Sequence, residues 1–288
     1  SSPAIRREMR RALVEETLAP LLGKACKRAG REVSRLAGGT VAGNTTMLHI
    51  LADEDPASLG IAPFTARFLE GRILQSGDIG LGGAMPIRLL PGLSAYIGAD
   101  ITAGVHATGM TLDDAPSLLV DMGTNGEVVL SCDGRLSATS CATGPVYEGA
   151  HIRCGVRASP GAIERVWVAP GGKIRWAAIP GADAGGDKRP VGLCGSGVIS
   201  GVAAGVGAGL IGSDGALAPH SAHPQLRDLG RGRSEELVLV DANFSRTGRD
   251  IVLTQQDVRA VQLGKSALRA GIEILLAESG VKRLDRIY

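Results

Sequence analysis

Leu118–Leu130, LLVDMGTNGEVVL, is the stretch on which the fold turns. Two apolar runs flank a short polar turn. Asn125-Gly126 supplies positive φ at low cost, so the runs read as two strands of a hairpin. A hairpin needs no acid at the end of its first strand, yet Asp121 stands there, followed by Gly123, Thr124, Asn125 and Gly126. Two readings are open. Asp and Asn are common turn formers, which would make this an ordinary hairpin. Alternatively, the tip gathers backbone N–H groups onto phosphate oxygens, with the Thr124 hydroxyl as a further donor. Asp121 would then hold Mg²⁺ through its water shell, because Mg²⁺ keeps several of its waters.

Downstream, Arg135–Cys141 reads as a third strand across the Asp-Gly turn at 133–134. GPVYEGAHI, 144–152, is helix-like, with Pro145 in a first-turn position. Strands follow near Ile163–Val168 and Lys173–Ala178, joined by PGG. GLCGSG, 192–197, then opens a helix from a Gly-rich turn whose backbone at Gly195 and Ser196 can lie against a flat ligand or an anion. Residues 213–250 read as polar and loose. From Leu253 a long helix runs to Gly280, with Thr254 as its cap and Asp257 as the reciprocal partner three residues on. Its apolar stripe is Val258, Val261, Leu268, Ile272 and Leu275. Gln262 and Lys265 share one face of it, turned to a nucleotide or to water. LGKS at 263–266 imitates the end of a phosphate loop, but the first glycine of that motif would be Arg259. VKRLDRIY closes the chain as an incipient strand.

Upstream, residues 5–29 read as helix stopped at Gly30, with the basic run IRREMRRA as its solvated face. VSRLAGGTVAGN is a Gly-interrupted strand, and TTMLHILAD is a short helix capped by Asn44 or Thr45. That helix start is either a plain cap or an anion site. Residues 53–96 are loop-rich. IGADITAGVHATGM, 97–110, reads as a connecting helix with small residues for close packing. Strands meander first and then alternate with helices, which suits a mixed α/β sheet.

Composition narrows the function. Aromatics are 3% of the 288 residues, too few for a surface that stacks nucleic-acid bases, and the net charge of +2 offers no field for a polyanion. Glycine, with 42 residues, is about twice its usual share and lies within apolar segments, which suits tight turns and close backbone approach. Five cysteines without a CxxC pair point to free thiols in a reducing cytoplasm. No apolar run is long enough for a membrane span. Cys194 has no activating partner that the sequence can name and reads as a small buried residue. His220 and His223, in HSAH, read as loop histidines, so no zinc site is expected.

VAGNTTMLHI, GADITAGV, VDMGTNGEVVL, ATGPVYEGAHI, GLCGSG and LTQQDVRAVQLGKSALRAGI, in this order, resemble the C-terminal region of the reductive activators of corrinoid proteins. That family belongs to the superfamily of acetate and sugar kinases, actin and the heat-shock ATPases. The resemblance implies an α/β, two-lobed actin-like ATPase (ribonuclease H-like) fold, truncated at both ends. Residues 1–96 would be a partial first lobe, 97–110 the connecting helix, and 111–288 a second lobe lacking its C-terminal segment. It implies ATP-dependent return of cob(II)alamin to cob(I)alamin, with ATP and Mg²⁺ as cofactors. The family's [2Fe–2S] domain would lie in an N-terminal part missing here, with the first phosphate hairpin. On this reading the chain alone binds ATP weakly or not at all. The implied partner is a corrinoid protein of a methyltransferase system in the cytoplasm, with no nucleic acid and no membrane; a homodimer stays open. Asp121 would hold the metal's water shell, and Gly123, Thr124, Asn125 and Gly126 the phosphates. Gly195 and Ser196 would lie on the nucleotide, with Gln262 and Lys265 near the adenosine. Two rivals keep the fold. A small-molecule kinase would use Asp100 or Glu148 as general base, and a docking module for a corrinoid protein would need no catalysis.

Overall fold

The computed structural model describes residues 2–112, 114–181, 187–219, 223–230 and 234–288, so His220 lies outside the described residues. The chain is mixed α/β and divides into two compact units. The first comprises residues 1–120, 129–140 and 279–288, the second 121–128 and 141–278.

The first unit opens with α1 (Pro3–Arg11), a π-helical turn (Ala12–Leu18) and α2 (Ala19–Arg28). Pro20 is the second residue of α2, directly after the π-helical turn, and the chain leaves the helix through Gly30 at φ +63°. The basic run is not simply a solvated face. Arg6 pairs with Asp53 at 3.0 Å, and Arg10 donates to the carbonyls of Leu51 and Asp78, each at 3.0 Å. Spaced four apart, these two side chains clamp α1 to the unit.

Next come β1 (Gly39–Val41), α3 (Thr45–Leu51), β2 (Arg72–Gln75) and β3 (Pro86–Leu89). The sheet order is β1-β3-β2, with β1 parallel and β2 antiparallel to β3. Val14, Leu48, Leu51, Phe68, Ile87 and Leu89 form its core. Asn44 caps α3 by accepting the Met47 N–H at 2.8 Å. α4 (Ala99–Thr108) starts against that cap. The Ala99 N–H meets the Gly43 carbonyl at 3.0 Å, and a Cβ on Gly98 would stand 2.6 Å from Asn44 Cα. The two motifs VAGN and IGAD are thus one packed junction, which explains the glycine between them. β4 (Ser117–Met122), β5 (Gly126–Cys132), β6 (Arg135–Cys141) and β13 (Arg286–Ile287) make a second sheet in the order β13-β4-β5-β6. β13 runs parallel to β4.

His49 on α3 is fully buried and stacked on Phe68, with ring centroids 4.5 Å apart. Its Nε2 accepts the Arg67 N–H at 3.0 Å, so Nδ1 carries the proton and donates to the Thr45 carbonyl at 2.7 Å. The ring is therefore neutral, and burial lowers its pKa from the ordinary 6.5. Below about pH 6.5 the unfolded chain takes up a proton that the folded one refuses. The stability His49 contributes is complete above that pH and is lost as pH falls. NMR titration of the His49 ring should show a midpoint below 6.5; a midpoint at or above that value would contradict the neutral tautomer.

In the second unit, β7 (Ala162–Val168), β8 (Ile174–Ala178) and β9 (Gly192–Leu193) form a sheet in the order β8-β7-β9. α5 (Gly195–Gly207) lies on β7, with glycines at 197, 201 and 205 where a Cβ would strike Ile163, Leu253 and Ile211. The stretch 213–250, expected to be loose, instead carries β10 (Leu226–Asp228) and β11 (Ser234–Val240), which continue with β12 (Ile251–Thr254) as an antiparallel sheet. Arg227 holds it together, pairing with Glu236 on β11 and with Asp250 at 2.7 Å. That guanidinium also keeps the Asp250 carboxyl below its usual range. α6 (Gln255–Ser279) begins with a reciprocal cap. The Thr254 N–H donates to Asp257 Oδ2 at 2.8 Å and the Asp257 N–H to Thr254 Oγ1 at 3.1 Å. Asp257 Oδ1 also accepts the Arg153 N–H at 2.9 Å, so this buried acid closes two segments at once.

Candidate functional site

The hairpin tip belongs to the second unit, and its conformation follows from what supports it. The Gly123 N–H closes the turn on the Asn125 carbonyl at 3.1 Å. Beneath, the buried Thr143 hydroxyl donates to the carbonyls of Gly123 and Thr124, at 2.8 and 3.0 Å. A Cβ on Gly126 would stand 2.5 Å from Leu268 of α6 and 2.7 Å from Thr143. With the tip carbonyls held from below, Asp121, Thr124 and Asn125 remain exposed. No hydrogen bond or ion pair ties the Asp121 carboxylate to another described residue. Thr143 was not among the residues the sequence singled out; its signal was its place in the motif ATGP, two residues before Pro145.

Thr124 aims both its donors at one oxygen. Its N–H lies 3.1 Å and its Oγ1 2.5 Å from Glu148 Oε1. The second distance is that of a charge-assisted O–H···O bond. Glu148 ends a short 3₁₀ turn, Pro145–Glu148, in place of the longer helix that GPVYEGAHI suggested; Gly149 at φ +79° stops it. Tyr147 of the same turn meets both long helices. A Cβ on Gly195 at the start of α5 would fall inside the Tyr147 carbonyl, and one on Gly264 of α6 would stand 2.9 Å from the Tyr147 hydroxyl. The tip, the Gly195 turn and α6 near Lys265 therefore converge on residues 145–148.

The other expected residues are placed as follows. Ser196 is exposed one residue into α5, while Cys194 is buried with its thiol toward the Ile163 carbonyl at 3.3 Å. Lys265 is exposed. The Gln262 amide is engaged within the unit: it donates to the Asp214 carbonyl at 3.1 Å and accepts from Arg259 at 2.7 Å. Asp100 belongs to the first unit, in the opening turn of α4, where Oδ1 accepts the Ile101 N–H at 3.0 Å. A cavity of about 1080 Å³ in the second unit is lined by Lys173, Arg175, Trp176, Arg189 and Phe244, and no tip residue reaches it. Volume alone would therefore point away from the tip. The donor geometry is the better guide, because an open phosphate cradle needs no deep cavity.

Among the described residues no helix is long and apolar enough to cross a membrane. Residues 115–288 match the family described as the C-terminal domain of RACo, the ASKHA domain, and residues 2–113 match the RACo middle region. The corrinoid activation enzyme RamQ of Eubacterium limosum is 33% identical over 279 residues, 94% of this chain and 46% of the relative. A [Co(II) methylated amine-specific corrinoid protein] reductase of Methanosarcina barkeri is 31% identical over 217 residues, 69% of this chain and 35% of its own length. A solved structure, a reductive activator for a corrinoid, iron-sulfur protein, superposes with a TM-score of 0.82 at 33% identity, over 98% of this chain and 44% of that one. The chain thus spans less than half the length of these relatives. Matched in order along almost its whole length, it belongs to the RACo family of reductive activators, as a middle region followed by an ASKHA domain.

Proposed function

We propose that this chain is the nucleotide-dependent core of a reductive activator that returns a corrinoid protein of a methyltransferase system from cob(II)alamin to cob(I)alamin. The observation that carries the reading is 33% identity to a corrinoid activation enzyme across 94% of the chain. The nucleotide half has its own support in the geometry. The donors of Thr124 fit an anionic oxygen, since they already hold a carboxylate. The exposed Asp121 offers an anionic oxygen beside them, suited to the water shell of Mg²⁺. ATP, when bound, would supply the free energy that makes an uphill electron transfer possible. Thr124 would orient a phosphoryl oxygen, Thr143 would keep the tip carbonyls turned away from it, and Lys265 would lie near the base. On this reading residues 1–96 would be the first lobe, 97–110 the connecting helix and 111–288 the second lobe, although residues 111–120, 129–140 and 279–288 pack with the first compact unit.

The test uses the full-length gene product, a corrinoid protein in the cob(II)alamin state and a low-potential one-electron donor. The cob(I)alamin spectrum should grow only when Mg·ATP is added. ATP-dependent phosphorylation of added acetate or sugar, with the corrinoid spectrum unchanged, would replace this reading by the kinase one.

A further inference from the structure

Glu148 stands where an anionic ligand of the tip would stand. Its Oε1 takes both donors of Thr124, one from the backbone and one from the side chain. Two such donors converging on one oxygen is also how a turn grips a phosphoryl oxygen. The carboxylate is exposed, so burial does not force it into this position. Its turn is bounded by Gly144 at φ +73° and Gly149 at φ +79°, left-handed positions that glycine occupies without strain. Inside those limits Val146 is anchored in the core and Tyr147 touches the start of α5 and the middle of α6. The turn therefore joins the tip to both long helices of the unit through a single exposed side-chain contact.

We propose that Glu148 is an internal stand-in for a nucleotide phosphate. It holds the Thr124 donors while no nucleotide is present and yields them when a phosphoryl oxygen arrives. Its release frees the end of the Pro145–Glu148 turn, so that the contacts of Tyr147 with Gly195 and Gly264 register the presence of phosphate. The proposal rests on the nucleotide reading and adds a specificity element to it. Two anionic oxygens cannot share one pair of donors, and like charges at this range repel. Only a ligand that brings enough further contacts, or a cation to offset the charge, can replace Glu148. A single free anion such as inorganic phosphate would compete poorly.

The amide resonances of Thr124, of Gly144 and of residues 146–149 in the selectively ¹⁵N-labelled full-length gene product provide the test, because they respond even to millimolar binding. Wild type, Glu148→Gln and Glu148→Ala are titrated with Mg·ATP and with inorganic tripolyphosphate. In wild type the resonances of Thr124, Gly144 and 146–149 should move together. In both variants the Thr124 midpoint should fall about tenfold, the effect of losing a competitor worth roughly one hydrogen bond, and the Gly144 and 146–149 resonances should no longer follow. Equal or weaker binding in the variants, with Thr124 still responding, would leave the nucleotide reading intact and overturn the role of Glu148. Movement of Thr124 in wild type without Gly144 and residues 146–149 would overturn the release. If Thr124 responds to neither ligand in any of the three proteins, both readings fall together.

Discussion

Gly195→Ala should lower the melting temperature by about 6–12 °C, whereas Gly207→Ala at the other end of the same helix should leave it unchanged or raise it slightly. A Cβ at 195 would overlap the carbonyl oxygen of Tyr147, stand 2.6 Å from its carbonyl carbon and 3.3 Å from its Cα. All three are backbone atoms, so no rotamer change relieves the clash. Either α5 or the 145–148 turn must move, and both are anchored in the core through Val198 and Val146. Overpacking of this kind costs about 3 kcal/mol. At ~2–4 °C per kcal/mol for a domain of roughly 150 residues, that gives the stated shift. At Gly207 nothing lies within 4 Å of the added carbon. There alanine should gain its helix propensity of up to ~1 kcal/mol over glycine. Thermal unfolding of both variants beside wild type checks the pair. Equal melting temperatures would mean that α5 does not approach the 145–148 turn as closely as described.

Both hairpins were legible, but only one of them through local chemistry. At the tip neither Asn125 nor Gly126 has positive φ, and glycine is needed there because a Cβ would stand 2.5 Å from Leu268; the Asp-Gly turn is the local case, with Asp133 and Gly134 at φ +51° and +69°. The same holds for α6, whose cap is written in two residues three apart and forms as expected. β10 and β11 were missed for a physical reason. Leu237, Leu239, Val240 and the acid Glu236 are all buried, so β11 shows no alternation of apolar and polar residues. Glu236 tolerates burial only because Arg227 reaches it from the neighbouring strand, and a partner of that kind has no local signature. The π-helical turn at Ala12–Leu18 was equally silent, since its composition is that of the helices on either side. At the site the sequence singled out Thr124 and Glu148 separately. Their pairing spans 24 residues and depends on where the 145–148 turn comes to rest, which no periodicity records.

Asp121→Asn should lower Mg²⁺-dependent nucleotide affinity and ATP-dependent corrinoid reduction by about 10- to 100-fold while leaving the melting temperature nearly unchanged. Carboxylates that bear on the fold of this chain look different. Asp257 is 1% exposed and its carboxylate accepts two backbone N–H groups, those of Arg153 and Thr254; Asp121 is exposed, and its carboxylate is tied to no other described residue. Removing its charge therefore takes nothing from the packed structure, and surface changes of this kind stay within ~0.5 kcal/mol. Asparagine keeps the size and one acceptor oxygen but not the anionic charge that orders water around a hard divalent cation. Loss of one such outer contact to a metal costs about 10- to 100-fold in affinity or activity. The measurement is a Mg²⁺ titration of nucleotide binding by calorimetry, with cob(I)alamin formation followed in the full-length gene product and a melting curve for each protein. Unchanged Mg²⁺ dependence in Asp121→Asn would remove Asp121 from the metal's surroundings. A variant that fails to fold would make Asp121 a turn former, and the hairpin tip would lose its claim on the metal while Thr124 kept its claim on the phosphate.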